Sequence, residues 1–399
     1  MRIGIVLKTF QTQRGGAEVW TLGFVRWLVQ QGHEVHVVAR KCDDVVHTLG
    51  VTTHIVNIRS PWRFAAAVER LLRSLDLDIA HDMGFGWYAD IFHSHVGSPF
   101  IYRRRLRDIK SKPQQFVALL ASALLPSYYR KRAFYHRQFS GHPSITYLAL
   151  SHRVACDYQR VHRIASENIK VIHNGVDINK FTPAQDGPAH SAVRRSLKIG
   201  KDETVLMLVA HDHRLKGLPA LVRAAAELVS QCHGIHVLVV GSHPRKDQLV
   251  QVDRLGIGNR IHFVGRVDNT VSYYQSADIY VHPTLYDACS LAVLEALSCG
   301  LPVITTSCNG ASELIADGVC GYVLDEGGSV DEICDRIRRL LPIDTRRSMG
   351  IRAREAAEQH SLDLNYRRIV DLYNEVLAKK QLDSRRHSHE LSSTDLAAA

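Results

Sequence analysis

None of the eight cysteines, at positions 42, 156, 232, 289, 299, 308, 320 and 334, stands in a C-x-x-C pair. Structural zinc and thioredoxin-like redox sites need that spacing, and a chain this large needs no disulfide framework. Most of these cysteines fall in apolar strand or helix contexts and read as reduced, buried thiols of a cytosolic protein. Long hydrophobic runs are missing too. No stretch reaches about 18 consecutive apolar residues, so no spanning helix is expected. The opening MRIGIVLKTF shows neither a basic leader nor a small-residue cleavage site, so no signal peptide is expected. The glycine-bearing loop KTFQTQRGGAE (8–18) is not G-x-G-x-x-G, which removes a dinucleotide fingerprint. No short-period repeat is present.

What is there is a chain of 399 residues, 45% apolar and 23% charged, a globular profile with length for two domains. The net charge of +10 is concentrated: residues 102–137 hold ten Lys/Arg against Asp108 alone, +9, leaving about +1 for the rest. A general nucleic-acid surface would spread its charge, so no nucleic-acid partner is expected.

Apolar runs alternate with helical patterns. Strands are predicted at 3–9, 34–40, 52–58, 78–83, 89–94, 145–150 and 169–173, then at 204–210, 235–241, 261–265, 279–283, 302–306 and 321–324. Runs such as VLMLVA and HVLVVG are apolar on both faces, as in strands covered on both sides. Helices are predicted at 17–31, 218–231 and 362–379. Such alternation predicts parallel α/β sheets. It runs twice, broken by NGVDINKFTPAQDGPAHS (174–191), which reads as a linker. The expected architecture is two doubly wound domains, 1–185 and 186–361, facing a central cleft. A helix at 362–380 crosses back to the first domain, and 381–399 is a disordered tail. Ligands are expected at the carboxyl ends of the strands lining the cleft.

The richest segment is ADIYVHPTLYDACSLAVLEALSCGLPVITT (277–306). A strand, a short loop and a helix opening near Cys289, Ser290 and Leu291 leave free N–H groups and a positive dipole end, a site for a diphosphate. Asp287 precedes the helix and Glu295 lies about two turns in. A carboxylate accepts two hydrogen bonds from a vicinal diol, which suits Glu295 to a ribose and Asp287 to a hexose hydroxyl. The alternative is a helix cap at Asp287 and a surface residue at Glu295. Asp76-Leu77-Asp78 matches a metal-holding D-x-D by letters only, and His93 with His95 lacks a third ligand.

Acid-x7-acid followed by ALSCGLPVI resembles the E-x7-E segment of family 4 retaining glycosyltransferases, with Asp287 where the motif usually has Glu. The shorter side chain keeps the charge and draws it back by about 1.5 Å, one C–C bond. RGGAE (14–18), HNGVDINKF (173–181), LKG (215–217) and the Gly265-Arg266-Val267 turn agree in order, so the resemblance covers most of 1–375. AHDMGFGWYADIFHSH (80–95) and the basic insert after it look like the lipopolysaccharide core glucosyltransferase I branch. The resemblance implies the GT-B fold and a metal-independent hexosyltransferase with no cofactor, acting on a nucleotide-sugar donor, UDP-sugar favoured over GDP-sugar. It implies catalytic roles for Asp287, Lys216 and His93. It implies donor contacts from Gly15, Gly16, Arg214, Lys216, Arg266, Asp287, Ala288, Cys289, Ser290, Leu291 and Glu295. Lys216 would meet the diphosphate, with Arg214 as second cation, and His93 would touch the transferred sugar or help the acceptor lose its proton. The reaction would be front-face substitution with retention, the leaving diphosphate taking the acceptor proton.

QQFVALLASALLPSYY (114–129) is apolar, bounded by tyrosines and flanked by the cation clusters. That composition fits a segment lying on an anionic membrane beside a glycan or glycolipid acceptor such as lipopolysaccharide core. The expected location is therefore cytoplasmic, peripheral on the inner face of the cytoplasmic membrane. The alternative is a buried helix with solvated flanks. Rival readings of the whole chain are a sugar-nucleotide epimerase on the same scaffold and a non-enzymatic basic binding protein.

Overall fold

The computed structural model describes residues 1–10, 15–139, 144–185, 188–231 and 234–397. The predicted linker's residues 186 and 187, and with them the boundary drawn there, lie outside the described residues, as does Cys232. All thirteen predicted strands form. The first seven are β1 (Arg2–Val6), β2 (Glu34–Ala39), β3 (Thr52–Ile55), β4 (Ile79–Asp82), β5 (Ile91–His93), β6 (Thr146–Ala149) and β7 (Ile169–Val171). The other six are β8 (Thr204–Ala210), β9 (Ile235–Gly241), β10 (Ile261–Gly265), β11 (Ile279–His282), β12 (Val303–Thr306) and β13 (Gly321–Leu324). They build two separate parallel sheets, ordered β3-β2-β1-β4-β5-β6-β7 and β10-β9-β8-β11-β12-β13. The order reverses between β1 and β4 in one sheet and between β8 and β11 in the other, and the crevice of an open α/β sheet opens at such a reversal.

The helices that shape the cleft are, in chain order, α1 (Gly16–Gln30), α2 (Pro99–Asp108), α3 (Lys112–Leu124), α4 (Pro126–Phe139), α5 (His152–His162), α6 (Leu218–Gln231), α7 (Lys246–Arg254), α8 (Leu291–Ser298) and α9 (Leu362–Ala397). α1 buries Trp20, Phe24, Val25 and Leu28, a helical stripe against β1 and β2. α9 starts beyond the second domain and returns to the first. Tyr366, Ile369, Tyr373 and Val376 are buried there, and the Tyr366 hydroxyl donates to the Trp20 carbonyl at 3.3 Å.

Three expectations need correction. The tail expected to be disordered from 381 is helical to Ala397. The segment contains no proline or glycine, so nothing local stops α9. The linker read at 174–191 is partly core: Asn174, Val176 and Phe181 are buried. Its backbone pairs with the second crossing of the chain, Val176 N–H donating to the His360 carbonyl and Leu362 N–H to the Val176 carbonyl, each at 2.9 Å. The apolar run at 114–129 is two helices broken at Leu125-Pro126, since proline's ring disfavours a helical residue before it. The alternative of a buried helix fails, because Phe116 is 62% and Leu124 76% exposed.

The seven described cysteines are unpaired, five of them buried, while Cys156 is exposed and Cys42 intermediate. Among the described residues no helix is long and apolar enough to cross a membrane.

Candidate active site

The loops after β8 and β11 meet where the second sheet reverses order. Lys216, from the β8 loop, forms an ion pair with Asp287, from the β11 loop. Their side chains are 21% and 16% exposed, which leaves a narrow approach. Gly217 makes the approach of the loops possible. It sits at φ +83°, and a Cβ there would lie 2.1 Å from the Pro283 carbonyl oxygen, so only glycine fits. Burial works to raise the Asp287 carboxyl, but Lys216 and then His282 outweigh it and hold it below the usual range. His282 is itself buried, 3.9 Å from Asp287, and pushed down to about 3, chiefly by burial and then by Lys216.

α8 opens beside this pair, with Ser290 as its N-cap residue, so Asp287 is not the cap. The Ser290 N–H donates to Asn309 Oδ1 at 3.2 Å. The preceding turn is held from the first domain: Ser151 donates to the Ala288 carbonyl at 3.0 Å and Asn174 to the Cys289 carbonyl at 2.7 Å. Leu291 starts the helix and faces α1, where a Cβ on Gly16 would lie 2.8 Å from Leu291 Cδ1. The two helix starts thus approach each other across the cleft, Gly15 standing just ahead of α1. Glu295 lies one turn further along α8 and accepts a hydrogen bond from the Tyr274 hydroxyl at 2.7 Å. Burial pushes its carboxyl up to about 7, against the pull of Tyr274 and Lys180.

Arg266 projects into solvent after β10. Together with Lys216 it acts on His211 at the end of β8, which burial first and then these two cations hold below its usual range, while Glu18 of α1 opposes them from the first domain. Arg214 is not brought to the Asp287 pair; it ion-pairs with Asp247 of α7. His93 ends β5, fully buried at the carboxyl edge of the first sheet. Asp76 and Asp78 lie at the opposite, amino end of β4, held by the guanidinium and backbone N–H of Arg2. Among the described residues no group of three or more His, Cys, Asp or Glu can hold a metal ion.

The sequence did not single out Tyr274, Asn309, Tyr102 or Tyr286. Tyr102 of α2 is raised by burial and then by Asp212 and Asp287, so the insert reaches the site. Tyr286 accepts from the Ser98 N–H at 3.1 Å across the cleft. Only tertiary structure brings these residues here, and no motif marks them.

Two family patterns match successive parts of the chain. Glycosyltransferase Family 4 matches residues 14–180, and Glycosyl transferases group 1 matches residues 190–356. The chain belongs to these glycosyltransferases. Similar proteins include the lipopolysaccharide glucosyltransferase WaaG of Escherichia coli, 27% identical over 54% of this chain and 59% of that protein. A D-inositol 3-phosphate glycosyltransferase of Mycolicibacterium smegmatis is 30% identical over 53% of this chain and 47% of that protein. The chain spans about half the length of the curated relatives it matches. Among solved structures, a crystal structure of WaaG aligns at TM-score 0.77 and 20% identity over 93% of this chain and 99% of that one. Anabaena Alr3699/HepE in complex with UDP and glucose aligns at TM-score 0.69 and 17% identity over 94% and 100%. At these identities the likeness speaks for the fold, and this glycosyltransferase has the two facing Rossmann-like domains of GT-B.

Proposed function

We propose that this glycosyltransferase moves a hexose from a nucleoside-diphosphate sugar, UDP-sugar in preference to GDP-sugar, to a hydroxyl of a cell-envelope glycan or glycolipid such as lipopolysaccharide core, with retention and without a metal. The observation that carries the reading is the Lys216–Asp287 pair at the amino end of α8. A diphosphate seated there meets helix N–H groups and a fixed cation, which stabilise the charge that grows as it leaves. Glu295 then takes the ribose, Asp287 and His93 the hexose, and the leaving diphosphate accepts the proton of the attacking hydroxyl. UDP with glucose in the Anabaena protein, and the lipopolysaccharide glucosyltransferase among the relatives, support the choice of donor and acceptor class.

Incubation with UDP- and GDP-sugars tests this. The expected result is slow donor hydrolysis, with release accelerated by acceptor and no change to the sugar's configuration at other carbons. Lys216→Ala and Glu295→Ala should each lower turnover about tenfold or more with the fold intact. Near-normal turnover in both variants would refute the site.

The α2–α4 insert supports docking on an anionic membrane. Phe116, Val117, Leu120 and Leu124 expose an apolar face on α3, and lysines and arginines lie on both flanks. Flotation should show the chain rising with vesicles that contain anionic lipid and remaining below with neutral ones; equal behaviour with both removes the docking role.

A further inference from the structure

Tyr373 from α9, His81 from β4, His93 from the end of β5 and His95 just beyond it stand in one column. The first three are completely buried. Tyr373 Oη lies 2.6 Å from His81 Nδ1, and His81 Nε2 lies 3.2 Å from His93 Nδ1. The His93 and His95 rings stack with centroids 4.3 Å apart, and Trp20 meets both edge-on at 5.4 and 5.1 Å. Phe24, one turn further along the same face of α1, lies 6.3 Å from both His81 and Tyr373. Burial first, and then the neighbouring histidines for His81 and His93, hold the three imidazoles below their usual range, so the column is uncharged.

An uncharged imidazole has one donor and one acceptor nitrogen, so fixing one end of such a chain fixes all of it. Tyr373 supplies the fixed end. Among the described residues its hydroxyl meets one hydrogen-bond partner, His81 Nδ1. Were it to accept from that nitrogen, its own proton would be buried without an acceptor, which is costly. The phenol therefore donates. His81 Nδ1 is then the acceptor, Nε2 carries the proton, and it donates to His93 Nδ1. His93 is left with its proton on Nε2, a buried nitrogen without a partner among the described residues.

We propose that Tyr373 is a positioning residue: acting through His81, it holds His93 as the Nε2–H tautomer, which donates one hydrogen bond to a hydroxyl oxygen of the transferred sugar. The ligand's identity rests on the function proposed above; the tautomer does not. In this state His93 has no free lone pair, so it orients the sugar and does not take the acceptor's proton.

The test is a long-range proton–nitrogen spectrum of the full chain labelled at histidine nitrogens, with His93 assigned by its loss in His93→Gln. The expected wild-type pattern is Nε2–H. Tyr373→Phe keeps the ring packing and removes only the hydroxyl, so the two nitrogen shifts of His93 should move toward each other as the tautomers mix. Turnover should fall about fivefold, the size of one hydrogen bond, with the dissociation constant of UDP unchanged. A wild-type Nδ1–H pattern at His93 overturns the proposal, and so does a Tyr373→Phe spectrum identical to wild type. The spectrum decides whether or not the chain transfers sugar, so failure of the functional reading would show separately, as wild-type protein that releases no nucleoside diphosphate.

Discussion

Lys216 and Asp287 meet as full charges at the carboxyl edge of the second sheet, whereas the same edge of the first sheet carries the uncharged rings of His81, His93 and His95. The difference matches two tasks. A departing diphosphate gathers negative charge, and a fixed cation in a partly dry site stabilises it more than water does. Sugar hydroxyls carry no charge, and only the direction of donors and acceptors can sort them. Under the proposed function, the second domain would handle charge and the first hydrogen-bond direction.

The largest effect that sharpens this contrast is expected from Lys216→Ala, which removes the cation and leaves Asp287 part-buried and unpaired. Turnover should fall about a hundredfold, more than for any change in the histidine column. Steady-state kinetics with a saturating donor measures it, and a smaller loss than for Tyr373→Phe would reverse the proposed division.

Glu295 is next, and its effect depends on pH. Its folded-state carboxyl stands at about 7, above the ordinary 4.5. The folded chain therefore binds more protons than the unfolded chain between these values, and stability falls as pH rises through that window. Glu295→Gln should flatten the fall, by at most about 3 kcal/mol. Ribose hydroxyls favour the carboxylate, so nucleotide binding should expel a proton in the same window and weaken below pH 7. Calorimetry of UDP binding in buffers of different ionisation heat counts that proton. A count of zero at about pH 6 would take Glu295 out of the nucleotide site.

Sequence legibility followed the same divide. Every strand was readable because β8 and β9, apolar on both faces, and the alternating helices leave one architecture. The meeting of the second-domain candidates Lys216 and Asp287 was readable because each sits in a short segment whose backbone course is set locally, whereas Arg214 was misplaced. The column was not. His81 and His93 lie on neighbouring strands, but Tyr373 arrives from 292 residues beyond His81, and only the return of α9 puts its hydroxyl on that ring. With 23 histidines in the chain, nothing in spacing distinguishes His81 from a surface residue. Asn174 and Phe181 misled in the opposite sense. Asn, Gly and Asp there read as solvent-facing linker, yet the two chain crossings pair with each other and bury them.

Arg214 gives the smallest expected effect and the finest cut. It lies two residues before Lys216, and on charge alone the two cations are interchangeable. Arg214 pairs with Asp247 on α7, however, with the two side chains 32% and 47% exposed, while Lys216 pairs inside the cleft. An exposed pair of this kind contributes about 1 kcal/mol or less, because water screens both partners. Arg214→Ala should therefore change turnover by no more than about threefold and leave the melting temperature nearly unmoved. A loss approaching that of Lys216→Ala would mean that Arg214 leaves Asp247 when donor binds. Asp247→Asn separates the cases: freeing the arginine should then strengthen UDP binding, whereas an arginine that never enters the site leaves that affinity where it was.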